Sequence, residues 1–282
     1  MQKITCFFIA LCIFFGVAAQ ELYVSTEPAS NMASGSIGLR MNSKFFRMNH
    51  DAKYSYRLDP EIMFGVNKHL MVHVNMYGSN MYQSKFRMEG ASLYGKYRVY
   101  SYDDVHSHFR MAAYGKMSLI NNPTVLKTDQ GSFSSDEIDL DGNNSGWLAG
   151  MVATQLLHKL AISSSVSFAN RLDNVHDAKM PGQSATAINY SLSGGYLLFP
   201  REYRNYRQTN INLYCELLAA TALDKHANFL DIAPAVQFII NSIARLDFSY
   251  RTQLTGNMER LSDSYFLVRF EYNLLNVFKN NQ

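Results

Sequence analysis

Charged residues recur at every second position in several short stretches of the chain. Arg57 and Asp59 show this spacing in one stretch, and Arg269 and Glu271 show it in another. Side chains spaced in this way can pair with one another in a buried network, or they can attract ions of opposite charge. Counting residues from the ends of the stretches places six of these side chains near the middle, and so at a common height: Arg40, Arg57, Asp59, Arg251, Arg269 and Glu271.

Basic residues outnumber acidic ones among these alternating positions. The basic set has about eleven members: Arg40, Lys44, Arg57, Lys96, Arg98, Arg110, Lys116, Arg171, Arg245, Arg251 and Arg269. The acidic set has about six: Asp59, Glu61, Glu216, Asp231, Asp247 and Glu271. Two interpretations stay open. The first is a pore constriction that favours anions, with Arg251 and Arg269 at similar height on neighbouring strands. The second is a network of ion pairs that fills the narrow interior of the protein.

The elements that carry these residues are β-strands, because apolar residues occupy the intervening positions. Successive residues of a strand point to opposite faces, so each stretch has one apolar and one polar face. Around Glu89 and Gly90 the alternation changes phase, which indicates a bulge. The stretches are 37–45, 54–66, 70–76, 91–99, 109–119, 147–156, 160–171, 188–198, 211–217, 230–241, 245–254 and 266–274.

About twelve such strands, without a helical domain between them, predict an all-β fold for residues 34–282. The prediction is a transmembrane antiparallel up-and-down β-barrel, with ten or fourteen strands as alternatives. Beyond the first residues, no stretch is long and apolar enough for a membrane-spanning helix. The long connections, 121–145 and 172–183, are expected together at one end of the barrel.

The start of the chain has the features of a secretory signal. Lys3 is followed by an apolar run over residues 7–17 and by small residues, so residues 1–19 are expected to be a signal peptide. Residues 20–33 are then predicted to be a loose periplasmic lead-in, with a plug inside the lumen as the alternative. Cys215 would be the only cysteine of the mature chain, so no internal disulfide is expected.

The signal, the strands and the aromatic last strand together resemble bacterial outer-membrane β-barrel proteins, nearest to small porin-like barrels. The resemblance implies a location in the bacterial outer membrane, outer-membrane lipid around the barrel, and recognition of the last strand by the barrel-assembly machinery. It also implies passive transport of a small solute without enzymatic activity or a cofactor. The alternative is a plugged structural barrel. A net charge of +3 gives no reason to expect a nucleic-acid partner.

Two further motifs fall short of a known site. An outer-membrane lipase would need a histidine before a Ser-Asn-Gly-like segment, and Asn144-Ser145-Gly146 lacks one. Glu137, Asp139 and Asp141 have the first spacing of a calcium loop, but Leu148 stands where a bidentate Glu is needed. Residues 136–144 are therefore predicted to be a solvated acidic loop, and no metal site is expected.

Overall fold

The computed structural model describes residues 23, 25–51, 53–83, 85–105, 107–128, 131–200 and 208–278. The expected signal peptide, residues 1–19, lies outside these ranges, so it stays a prediction. Among the described residues, no helix is long and apolar enough to cross a membrane.

Twelve long strands form one closed antiparallel sheet, and a short hairpin lies in one connection. The predicted all-β barrel of about twelve strands is confirmed. The long strands are β1 (Ile37–Arg47), β2 (Tyr54–Gly65), β3 (Leu70–Ser79), β4 (Arg87–Asp103), β5 (Ser107–Ile120), β8 (Gly146–Leu157), β9 (Leu160–Arg171), β10 (Thr186–Phe199), β11 (Asn210–Ala222), β12 (Asn228–Ile240), β13 (Ala244–Gly256) and β14 (Ser264–Leu274). The hairpin consists of β6 (Leu126–Thr128) and β7 (Gly131–Phe133).

The barrel closes by pairing the first strand with the last. Every strand otherwise pairs with its neighbours along the chain, except that β8 follows β5 around the small hairpin. The closing ladder runs from Ile37 opposite Leu274 to Phe46 opposite Tyr265. Closure matters in a bilayer because lipid offers no partner for the N–H and C=O groups of an open edge.

The two faces of the barrel wall differ as the alternation predicts. On β1, Leu39 is 45% exposed while the next residue, Arg40, is 9% exposed. On β14, Phe270 is 50% exposed while Glu271 is 3% exposed. Apolar side chains thus cover the outside and charged side chains fill the lumen, which is the arrangement that a lipid-facing barrel needs.

The two ends of the barrel have connections of different length. At one end most connections are tight, such as the two residues between β8 and β9, and the exception is residues 200–209 between β10 and β11. Residues 121–145 and 172–185 connect strands at the opposite end. Both long connections lie together, as predicted, and long connections face outward in outer-membrane barrels.

The lumen as the candidate functional site

The predicted site residues all point into the lumen, and the structure places Arg40 beside Glu271. They are opposite each other in the β1–β14 ladder. Arg40 Nη2 lies 2.8 Å from Glu271 Oε2, and Nη1 lies 3.2 Å from Glu61 Oε2. On the other side, Arg245 Nη1 lies 3.5 Å from Glu271 Oε1. These charges form one network near the tight-turn end.

Arg57 and Asp59 stand next to each other on one face of β2 but take different partners. Asp59 Oδ2 lies 3.1 Å from Lys44 Nζ. Arg57 Nη2 lies 3.1 Å from Glu89 Oε2. Glu89 reaches the lumen because of a β-bulge: Tyr77 pairs with Gly90 and the next residue pairs with Met88, so Glu89 is the extra residue. The bulge predicted near Glu89 and Gly90 is therefore confirmed.

Arg251 and Arg269 lie at different heights, and so do Arg40 and Arg57, because Arg57 pairs with Lys44 rather than with Arg40. The expectation of a common height was therefore wrong. In the β13–β14 ladder Arg269 faces Asp247, four residues before Arg251. At about 3.4 Å per residue this separates the two positions by about 14 Å along the strands. Arg251 Nε binds Asp231 Oδ2 at 2.6 Å, and Arg269 Nε binds Asn42 Oδ1 at 2.7 Å. Counting residues from strand ends missed this offset because the ends of neighbouring strands are staggered.

Residues 25–33, here called the N-terminal segment, cross the lumen near the tight-turn end. The backbone N–H groups of Ser25 and Thr26 donate to the Glu216 carboxylate on β11, at 2.8 and 2.9 Å. The N–H of Ala29 donates to Thr154 Oγ1 on β8 at 3.0 Å. A loose lead-in does not make such contacts, so the alternative, a plug in the lumen, describes this segment.

The N-terminal segment also contacts β1 and β4. Glu27 Oε2 lies 3.3 Å from Arg40 Nη1, and Glu27 Oε1 lies 3.7 Å from Lys96 Nζ. Lys96 Nζ donates as well to the carbonyl oxygens of Pro28 and Ser30. Because β11 and β4 stand far apart in the barrel order, the segment spans the lumen from wall to wall.

Residues 134–145, here called the inward loop, close the lumen near the other end. Arg260 Nε lies 3.1 Å from Glu137 Oε2, and Lys116 Nζ pairs with Asp141 Oδ1. The prediction of a solvated acidic loop was wrong for Asp136, Glu137 and Asp139, whose side chains are 11, 19 and 24% exposed and pair with basic residues. The Asp141 side chain pairs with Lys116 but stays 55% exposed. Among the described residues, no group of three or more His, Cys, Asp or Glu is arranged to hold a metal ion.

Asp141 is held in its charged form by its neighbours. Desolvation acts to raise the pKa of its carboxyl, but the ammonium groups of Lys116 and Lys44 outweigh this and hold the pKa below its ordinary value. The ion pair with Lys116 therefore persists at neutral pH. Because the Asp141 side chain is 55% exposed, solvent screens this contact, and it adds modestly to the packing of the inward loop against β5.

Gly142 allows the inward loop to approach the barrel wall. Arg57 Nη2 donates to the Gly142 carbonyl at 3.2 Å, and Arg57 Nη1 donates to the Asp141 carbonyl at 3.1 Å. A Cβ at position 142 would lie 2.9 Å from the Arg57 guanidinium carbon, and φ there is +111°. Glycine is the residue that combines this backbone angle with so close an approach.

Between the N-terminal segment and the inward loop lies a cavity of about 310 Å³. Five lysine and arginine residues line it: Arg40, Lys44, Lys116, Arg251 and Arg269. Six acids line it as well: Glu27, Asp59, Glu61, Glu137, Asp139 and Asp141. Four of these acids belong to the segment or the loop rather than to strands. The strands alone thus present five basic and two acidic groups to the cavity.

The opposite wall of the cavity carries hydroxyl and amide groups instead of charges. It includes Ser165 and Ser167 on β9, with Asn189 and Ser191 on β10. In the closed order of twelve strands, β9 stands directly across from β1 and β10 across from β2. A solute in the cavity would therefore meet ionic groups on one side and neutral hydrogen-bonding groups on the other.

The residues of the lipase-like segment do not form a catalytic arrangement. Ser145 is 1% exposed. Its Oγ donates to the Ile120 carbonyl at 3.2 Å and accepts from the Ile120 N–H at 2.8 Å. The hydroxyl therefore anchors the end of the inward loop to β5, and a nucleophilic serine would need a neighbouring base instead.

Sequence reasoning missed four residues of the lumen network, Glu27, Glu89, Glu137 and Arg260. None of them belongs to a regular alternating row. Glu89 could have been found from the phase change at the bulge, whereas Arg260 and Glu137 stand in connections. Their pairing joins parts of the chain 123 residues apart, and no local pattern predicts it.

The closed barrel, the apolar exterior and the charged lumen define the class: the chain has the fold of a bacterial outer-membrane β-barrel. The predicted location, the bacterial outer membrane, agrees with this fold. No protein-family model and no curated protein sequence matches the chain.

Among solved structures, the chain is similar to an outer-membrane channel from Pseudomonas putida F1. The TM-score is 0.55 at 11% identity, and the match covers 89% of this chain and all of the other. The NanC porin gives a TM-score of 0.49 at 8% identity, covering 84% of this chain and all of the porin. At 11% identity, the likeness to the Pseudomonas putida channel shows a shared fold.

Proposed function

We propose that this barrel is a porin-like channel for small solutes, and that the N-terminal segment and the inward loop close its lumen in the present structure. The observation that carries the proposal is the cavity between these two pieces of chain. Strand side chains line the sides of this space, and residues of the N-terminal segment and of the inward loop also line it. Withdrawal of either piece requires no change in the strand pairing.

The charge of the cavity lining suggests an anion preference for the open state. With both pieces in place, five basic and six acidic residues face the cavity. Withdrawal of both would remove four acids and leave five basic residues against two acids. A positive potential at a constriction concentrates anions and excludes cations. We therefore expect anion preference only when the acidic pieces have moved.

The second candidate is a plugged barrel that serves as an anchor or assembly partner. The ion pairs that hold both pieces in the lumen favour it. Buried pairs are expensive to break one partner at a time, which would keep the lumen closed.

Conductance across a planar bilayer separates the two candidates. We expect brief openings from the wild type and more frequent ones from Arg260→Gln, which weakens the bond to Glu137 Oε2, 3.1 Å long. Arg47→Gln on the exposed end of β1 is a matched control and should behave as the wild type. Silence of wild type and Arg260→Gln alike, over many insertions of folded protein, would refute the channel and support the plugged barrel.

A further inference from the structure

The surroundings of one carboxylate in the lumen have the form of a binding site. Glu27 lies between a guanidinium and an ammonium group, at 3.3 Å from Arg40 and 3.7 Å from Lys96. The side chain of Arg40 is 7% exposed and that of Lys96 is 0% exposed. Two buried cations from different strands therefore converge on an anion that no strand supplies.

We infer that Arg40 and Lys96 form a binding site for the carboxylate group of a small solute, and that Glu27 occupies this site as the chain's own ligand. The inference rests on the proposed function for the identity of the competitor, a solute that crosses the barrel. Solute and N-terminal segment would then exclude each other, so the arrival of a carboxylate favours withdrawal of the segment.

The two cations depend on the segment to different degrees. Arg40 also binds Glu61 and Glu271, and these two strand residues remain when the segment leaves. Lys96 Nζ contacts Glu27 and the carbonyl oxygens of Pro28 and Ser30, and withdrawal removes all three groups together. An incoming carboxylate can take the place of the Glu27 carboxylate beside Lys96, as a charge-assisted contact to the same ammonium group.

The neighbouring acids limit the charge of the ligand. Glu61 and Glu271 flank Arg40 on the barrel wall, with oxygen atoms 3.2 and 2.8 Å from its guanidinium. A second negative charge on the ligand would be repelled by these carboxylates. The site therefore suits a singly charged carboxylate. Its uncharged part would extend into the cavity toward the serine wall on β9 and β10.

Glu27→Ala creates a space that a known molecule can fill. The substitution removes one methylene and the carboxylate, which together correspond to acetate. The segment keeps its hydrogen bonds from Ser25 and Thr26 to Glu216, and from Ala29 to Thr154. The variant thus tests the site without depending on withdrawal of the whole segment.

The experiment titrates ¹³C-labelled acetate into the full mature chain in detergent micelles at pH 7 and follows line broadening by NMR. We expect Glu27→Ala to bind acetate at least about tenfold more tightly than the wild type. If Glu27 fills the site in about nine of ten molecules, the wild-type site is free in only about one tenth of them. Glu259→Ala, at an exposed loop residue, is the matched control and should keep the wild-type affinity.

Two further measurements test what the site recognises. Labelled acetamide has the shape of acetate without its charge, and should bind both proteins equally weakly. In the Glu27→Ala background, Lys96→Gln should abolish the gain and Lys96→Arg should retain most of it. Heat-modifiable mobility on gels verifies that each variant folds. Equal acetate affinity of wild type and Glu27→Ala, or equal binding of acetamide and acetate, would overturn the inference.

The micelle measurement needs no open pore, so it separates this inference from the proposed function. A gain in acetate affinity without conductance across planar bilayers would refute transport and still support the carboxylate site. Conductance without any gain in acetate affinity would refute the site and leave transport standing.

Discussion

Arg57 joins the inward loop to the barrel wall, and its replacement tests how the lumen is held closed. Its guanidinium lies 3.1 Å from Glu89 Oε2 and donates to the carbonyls of Asp141 and Gly142, at 3.1 and 3.2 Å. The Glu89 side chain is 0% exposed. Arg57→Met would leave this carboxylate inside the barrel with the Ser79 hydroxyl as a donor but without the cation.

The expected loss in the free energy of unfolding follows from these contacts. Removal of one partner of a buried ion pair costs about 3–5 kcal/mol, because the other charge stays buried. Each lost hydrogen bond to a loop carbonyl adds about 1 kcal/mol. We therefore expect Arg57→Met to lower the free energy of unfolding by about 5 kcal/mol or more. The double variant Arg57→Met/Glu89→Gln also removes the Glu89 charge that has lost its cation, and should recover about 3 kcal/mol of that loss.

Urea unfolding in lipid vesicles measures these differences. The single tryptophan, Trp147, is 41% exposed on the outer face of β8, so its fluorescence reports removal of the barrel from lipid. Arg47→Met on the exposed end of β1 is the matched control and should change the free energy by less than about 0.5 kcal/mol. If the double variant is no more stable than Arg57→Met alone, the buried Glu89 charge without its cation does not account for most of the lost free energy of unfolding.

Three further variants test the charges and the loop. Replacing Arg251 and Arg269 together by Ser should shift the reversal potential of the open barrel toward cations, since two of the five basic residues facing the cavity are lost. An unchanged potential in a folded variant would exclude them from selectivity. Because the pKa of Asp141 is lowered, its ion pair with Lys116 should survive below pH 4 and break only in stronger acid. Conductance followed from pH 7 to pH 2 should then rise only at the acid end, whereas Asp141→Asn should show the higher conductance already at pH 7. Gly142→Ala should release the inward loop, since the added Cβ meets Arg57 at 2.9 Å, and faster protease cleavage of the loop in intact vesicles would reveal it. Unchanged cleavage would show that the loop tolerates the side chain.

The sequence was sufficient to predict the wall of the barrel. Alternation with period two is a local property, and every strand repeats it over its own length, so strand number and lumen-facing residues followed directly. The bulge at Glu89 was visible for the same reason, as a change of phase. Even Arg40 and Glu271 were assigned to one region, because closure makes the first and last strands neighbours.

The sequence did not predict what fills the barrel. Glu27 and Glu137 stand in segments without periodicity, where an acidic residue is ordinarily solvated. Their positions depend on cations contributed by distant strands and loops, such as Arg40 and Arg260. These pairings arise only in the folded barrel. The relative heights of Arg251 and Arg269 were missed because strand register is fixed by pairing rather than by distance from a strand end.

The N-terminal segment and the inward loop both line one cavity, so under the proposed function they would be two gates in series. If they open independently, conduction requires both to be open at once, and the open probability is the product of the two. With each gate open about one tenth of the time, the barrel would conduct about one hundredth of the time. Releasing one gate would then raise the frequency of openings about tenfold and leave their amplitude unchanged, whereas coupled gates would open together without such multiplication.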